Sequence, residues 1–246
     1  MNDKKEPLRK KSAKPPKTAS KNLDKKTDSV QSYSVSPLQR FVKSMAIDYE
    51  KWHDGIGYDI EAIKNASPAE RKAIEQILIQ NSPRDWRDIE ALAQIDTESA
   101  RKTIKSAMKD SNPDVRIAVT RFAPNLVTNS ERSQSLIKAL QSAEIFSGLS
   151  QALDEIEKYH PAEIKEALIK GLLSRGGDVA VLFAAMLFYI YGKADEPFDM
   201  KQRPFFLSFN TENTAERMLA FLKLCKQLNI NPKKYVTSNQ LGTTQK

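Results

Sequence analysis

The sequence predicts an all-α protein in which about four helix pairs stack as a solenoid between helical N- and C-terminal caps. Three observations carry this. Between two polar tails, apolar residues recur at helical spacing almost throughout. Helix starts recur at Ser67, Thr97, Ser130 and Pro161, in steps of 30, 33 and 31 residues. Each start opens a similar segment, and a second helix follows each one: DWRDIEALAQI, DVRIAVTRFAPNL, EIFSGLSQALDEI and DVAVLFAAMLFYI. A near-constant period of two-helix units is the pattern of a stack in which each pair buries its face on its neighbours.

Taken in chain order, residues 1–36 are rich in Lys, Ser, Thr and Pro and nearly free of large apolar side chains. Such a segment cannot bury enough surface to offset its ordering entropy and is expected to be a disordered basic tail. It holds ten Lys or Arg against four acids, a charge of +6; the remaining 29 basic and 27 acidic residues leave only +2 of the chain's +8. Any electrostatic attraction to nucleic acid therefore belongs to the tail.

Residues 37–66 are expected to form the N-terminal cap. One helix is predicted from Pro37 to about Trp52, with Phe41, Met45 and Tyr49 on one face. The turn His53-Asp54-Gly55-Ile56-Gly57-Tyr58 ends it, and a short helix follows over 59–65. Residues 67–191 hold the repeats. Ser67, Thr97 and Ser130 are suitable N-caps, and Glu70 and Glu98 place negative charge in first turns. Aligning Asp85, Asp114, Glu144 and Asp178 brings Trp86, Val115, Ile145 and Val179 into one column. Four residues on stand Glu90, Val119, Leu149 and Phe183, so the first repeat breaks the apolar column and Ile89 takes its place. Val115, Val119 and Phe122 are placed on the buried side of their helix and Arg121 opposite. Residues 192–235 supply an aromatic, proline-containing loop and a capping helix near Thr214–Leu228, with Met218, Phe221, Leu222 and Cys225 on its apolar side. Residues 236–246 are expected to be a second disordered tail.

Asp85-Trp86-Arg87 and Ser111-Asn112-Pro113-Asp114-Val115-Arg116 resemble the start of the inner helix in HEAT repeats. The short period is similar to that of bacterial HEAT-like repeats of the phycobilin-lyase-related type. The resemblance implies a right-handed α-solenoid and an Asp–Arg ladder between neighbouring repeats. That ladder is expected to stop halfway, because Phe146 and Ala180 stand where later arginines would.

The longest apolar run, Val179–Ile190, is too short to cross a bilayer, and the basic N-terminus lacks the apolar stretch of a secretory signal. A single cysteine, Cys225, rules out an intrachain disulfide framework and fits a reducing, cytoplasmic setting. His53 and His160 stand far apart with no further ligand at metal spacing. Cys225 lies on an apolar stripe, and Gly55-Ile56-Gly57 reads as a turn. Glu155 and Glu157 read as a solvated face or as held by loop hydrogen bonding. No catalytic, cofactor or metal site is expected. The leading expectation is a non-enzymatic scaffold, of the bacterial adaptor or immunity kind, that binds a protein through its concave face. Arg87, Asp88, Arg116, Thr120 and Arg121 on inner helices, with Trp52 and His53 beside the first turn, are the candidate contacts. Arg87 and Arg116 also have a purely structural reading as ladder residues. Two alternatives stand: a nucleic-acid-binding protein resembling the HEAT-like alkylpurine DNA glycosylases, and a chromophore lyase or chaperone. Deleting residues 1–36 is expected to remove most of any nucleic-acid affinity, measured by titration at two salt concentrations; undiminished binding would place the basic surface in the repeats.

Overall fold

The computed structural model describes residues 35–236, which form thirteen α-helices joined by short turns, with no strand among them. The expectations for residues 1–34 and 237–246 lie outside the described residues. Val35, Ser36 and Val236 belong to the folded part: Ser36 caps the first helix through a reciprocal box with Gln39, and Val236 is buried. No described helix is long and apolar enough to cross a membrane.

The N-terminal cap differs from the single helix expected. It comprises α1 (Pro37–Ser44), α2 (Tyr49–His53) and α3 (Ile60–Asn65). The break falls before Asp48, which adopts an extended backbone and accepts a hydrogen bond from the Lys51 amide at 2.9 Å, so a new helix starts there. Phe41 therefore enters the core while Tyr49 is 74% exposed.

The four pairs are α4 (Pro68–Asn81) with α5 (Trp86–Ile95), α6 (Glu98–Ala107) with α7 (Pro113–Phe122), α8 (Asn129–Ser142) with α9 (Ser150–Lys158), and α10 (Ala162–Ser174) with α11 (Gly177–Ile190). Ser67 and Thr97 cap their helices as expected. The third cap is Thr128 rather than Ser130, because Thr128 forms the reciprocal box with Glu131 that satisfies two free amides.

Glu144 does not open a regular helix either. Ser147 and Gly148 leave helical geometry, Gly148 at φ +95°, and α9 begins only at Ser150. The kink exists because α7 presses on it: a Cβ on Gly148 would lie 3.0 Å from both Asp114 Oδ1 and Pro113 Cβ.

Second helices pack in sequence, α3 on α5, α5 on α7, α7 on α9 and α9 on α11. First helices do so only in part: α4 meets α6, and α8 meets α10. Between α6 and α8 there is little contact, and the core divides at the same place. One apolar cluster runs from Phe41 to Ala123, the other from Leu136 to Val236, joined by Ile117 of α7. Val115, Val119 and Ile89 are buried as expected, whereas Phe122 is only partly buried and stacks on Trp86.

The C-terminal segment closes the second cluster. Phe188 of α11 meets Phe206 of a short helix, α12 (Arg203–Leu207), at 5.3 Å between ring centroids. The last helix, α13 (Thr214–Leu228), packs on α10 and buries Met218, Phe221 and Cys225. Gly171 is required where α10 meets α11. A Cβ there would lie 2.5 Å from the ring of the fully buried Phe183. Gly171→Ala is therefore expected to lower the denaturant midpoint, by about 1–3 kcal/mol of overpacking, although alanine is the better helix former. Adding Phe183→Leu should recover part of that loss, and a stabilised Gly171→Ala would show that the contact is loose.

Candidate binding cleft

The turn after α2 and the start of α5 are fastened by one side chain. Arg87, 3% exposed, donates from Nε to the Ile56 carbonyl at 2.7 Å and from a terminal nitrogen to the Lys51 carbonyl at 3.4 Å. Its other terminal nitrogen meets Asp85 at 2.9 Å, and the guanidinium lies 4.7 Å from the centre of the Trp86 ring. Asp85 caps α5, accepting from the Arg87 amide at 2.8 Å. Asp88, buried one turn further on, accepts from the Arg84 amide at 2.8 Å and from the Tyr58 hydroxyl at 3.2 Å. Burial raises the pKa of both Tyr58 and Asp88.

This frame holds open a cleft of about 540 Å³ between the α2 turn, the starts of α5 and α7, and the kink before α9. Trp52, His53, Asp85, Trp86, Arg87 and Asp114 line it, with Ile145, Ser150 and Gln151 on the far side. An adjoining hollow of about 250 Å³ shares Trp86, Asp114 and Gln151 and adds Arg121, Phe122 and Asp154. Together these fall in the size range of small-molecule or side-chain pockets. The α2 turn lies directly on Trp86, since a Cβ on Gly57 would be 3.4 Å from that ring and 3.1 Å from Glu90 Oε2. Trp52, in α2 at the cleft, is 55% exposed.

The cleft is rich in hydrogen-bond acceptors without donors. Asp114 Oδ1 and Gln151 Oε1 are both buried and have no partner. Burial, and then the nearby Asp85 carboxylate, raises the pKa of Asp114. Burial likewise raises that of Glu90, against the pull of Arg121 and Arg87. Ser150 is occupied, its hydroxyl donating to the Ile145 carbonyl at 2.9 Å, and His53 is held at 2.9 Å by its neighbour Asp54.

Of the seven residues singled out in the sequence, the structure brings Trp52, His53 and Arg87 to the main cleft and Arg121 to its extension. Arg116 lies elsewhere, beside a second cavity between α6 and α8. Asp88 and Thr120 are corrected. Both are buried, and Thr120 spends its hydroxyl on the Ile117 carbonyl at 2.8 Å, so neither offers a surface to a partner.

The expected ladder between repeats is also absent among the described residues. Arg87 pairs within its own helix start, Asp114 Oδ1 is unpaired, and Arg116 donates to the carbonyls of Asp110 and Ser111 at 2.6 and 2.8 Å. Each arginine donates instead to backbone carbonyls in, or in the turn just after, a preceding helix. Glu155 is corrected as well: it is buried and meets Arg132 at 3.0 Å.

Sequence reasoning missed Gln151. Its approach depends on the Gly148 kink, which helical periodicity hides. Asp114→Asn is expected to raise the melting temperature near pH 7, by about 2–4 °C if it relieves about 1 kcal/mol. The sign follows from the raised carboxyl pKa: the ionised form disfavours the folded state above that pKa, and protonation removes the penalty. The advantage of the variant should therefore shrink as the pH falls through the Asp114 pKa. A variant less stable than wild type at neutral pH would show that the charge has a partner.

No family model matches this chain, and no curated protein or solved structure does so either.

Proposed function

We propose that this chain is a non-enzymatic scaffold, a right-handed HEAT-like α-solenoid whose row of second helices presents the Trp52–Trp86 cleft to a protein partner. The observation that carries the reading is the composition of the cleft. A half-exposed indole, a second indole in the wall and two buried acceptors without donors occupy one opening. Tryptophan and arginine at the centre of a concavity are the residues that dominate protein recognition. A partner's amide, guanidinium or ammonium group would satisfy Asp114 and Gln151, whose desolvation costs the free protein stability. The two-helix units at steps near 31 residues support the solenoid, and the sequential packing of α5, α7, α9 and α11 supports a continuous face. A cytoplasmic adaptor or immunity-type role fits this reading.

Trp52 and Arg121 separate contact from scaffold, because both are exposed and neither holds a helix end. Trp52→Ala should leave the melting temperature nearly unchanged while weakening partner capture about tenfold or more, as truncation of a central interface aromatic does. Arg121→Glu should weaken capture without unfolding, since its pair with Asp154 spans 3.8 Å on the surface and contributes little. The measurement is crosslinking and identification from native extract, with and without nuclease, for wild type and both variants. Equal capture by all three would move the site elsewhere. Capture that nuclease abolishes would favour the nucleic-acid reading over the protein one.

A further inference from the structure

The second cavity, about 280 Å³, fills the gap between α6 and α8 where the row of first helices opens. Its lining is unlike that of the Trp cleft. Lys105 and Lys109 come from the end of α6 and the turn after it, Lys138 from α8, and Arg116 from the start of α7; the only carboxylates are Asp110 and Glu131. Both carboxylates are already engaged. Glu131 Oε2 accepts from the Thr128 amide and hydroxyl, each at 2.8 Å, and Asp110 accepts from the Asn112 amide at 2.7 Å. The lysine ion pairs among the described residues are made by Lys64, Lys170 and Lys234; the three lysines here make none within 4.0 Å, and Lys105 acts on Glu131 only at longer range.

The floor of the cavity supplies a second, independent observation. Arg116 is 4% exposed and Ser135 5% exposed, both line the opening, and each has a buried polar atom with no hydrogen-bond partner: Arg116 Nε and Ser135 Oγ. A buried N–H or O–H donor without an acceptor costs the free protein stability, and it becomes an asset when an anion arrives. Four cations against two carboxylates leave two positive charges in excess, which matches a dianion. Burial also lowers the pKa of Arg116, the direction that an adjacent anion would reverse.

We propose that the opening between α6 and α8 binds a phosphate monoester dianion, with the Arg116 guanidinium and the Ser135 hydroxyl at its floor turning toward the anion as donors and Lys105, Lys109 and Lys138 supplying the charge. A tetrahedral dianion offers several acceptor oxygens, so it satisfies both buried donors and still reaches the lysines. A phosphodiester carries only one charge per phosphate and leaves half the excess unmatched. The site shares no lining residue with the Trp cleft and stands whether or not that cleft binds protein.

The test is calorimetric titration of the full chain with inorganic phosphate, phenyl phosphate and a phosphoserine peptide at constant ionic strength, with chloride as control. Saturable binding of phosphate and phenyl phosphate is expected, and chloride should give none. Lys109→Gln combined with Lys138→Gln should weaken it about tenfold without unfolding, since both side chains are exposed. Ser135→Ala is the sharper probe. Removing an unpartnered buried hydroxyl should leave the melting temperature equal or higher, yet weaken phosphate severalfold. Tighter binding of the peptide than of phenyl phosphate would assign the group to a protein, and equal binding to a free small molecule; either upholds the site. Equal binding of chloride, or unchanged affinity in both variants, overturns it, as does binding of duplex DNA by a chain that ignores phosphate and phenyl phosphate.

Discussion

The constraint on which the described structure depends is the need to satisfy the carbonyls at the ends of short helices. Helices of five to fifteen residues leave up to four free carbonyls each, and little chain is left over to cover them. Arginine from a later element does the covering. Arg87 reaches the carbonyls of Lys51 in α2 and Ile56 in its turn, Arg116 those of Asp110 and Ser111 in the turn after α6, Arg175 those of Leu140 and Ala143 at the end of α8, and Arg217 that of Arg175 after α10. A planar guanidinium spans two or three acceptors at once, which a lysine cannot do with the same rigidity. Where the acceptors belong to a helix end, as for Arg175 on α8, the contact also brings a cation to the partial negative charge of the helix dipole. This accounts for Arg116 and Arg217, buried or half-buried with no carboxylate within 4.0 Å among the described residues, whereas Arg87 and Arg175 also meet Asp85 and Glu144.

That device fixes where the molecule opens. The core divides between Ala123 and Leu136, and α7 is the element shared by both halves, with Val119 in one cluster and Ile117 in the other. Gly148 lets the third pair come down onto the start of α7 on one side. On the other side nothing brings α8 against α6. The Trp cleft and the lysine-lined cavity therefore lie at the same junction, reached from different elements. Their chemistry is opposite because their walls are: acceptors of Asp114 and Gln151 on one side, donors of Arg116 and Ser135 on the other.

Much of this was legible in the sequence, and what was not has identifiable reasons. The helix pairs, the caps at Ser67 and Thr97, the substitution of Ile89 for Glu90 in the apolar column and the final helix over Thr214–Leu228 all follow from periodicity and capping chemistry. The break at Asp48 and the cap at Thr128 were missed because a strong N-cap competes locally with an apolar pattern that runs through it. Arg116 and Thr120 fall on the face expected to meet a partner, yet both are buried, because helix ends and side-chain carbonyl contacts claim them first. Trp52 and Arg121 remained exposed. What periodicity could not show is the approach of Gln151 and Ser135 to their cavities, since each depends on how far apart two non-adjacent elements sit.

The buried polar atoms at this junction bear on function more directly than the fold does. In a structure optimised for stability alone, Asp114 Oδ1, Gln151 Oε1, Arg116 Nε and Ser135 Oγ would each be paired or replaced by an apolar group, because an unmet buried acceptor or donor costs about 1–3 kcal/mol. Among the described residues the other such atoms are the Nε of Arg71, Arg132 and Arg217, while these four belong to residues lining the two cavities at one division of the core, two beside each opening. A ligand carrying the complementary group relieves that cost, because it brings charge to a site already desolvated on one side. Residual polarity placed where the packing opens is thus the feature of this chain that stability does not explain and binding does.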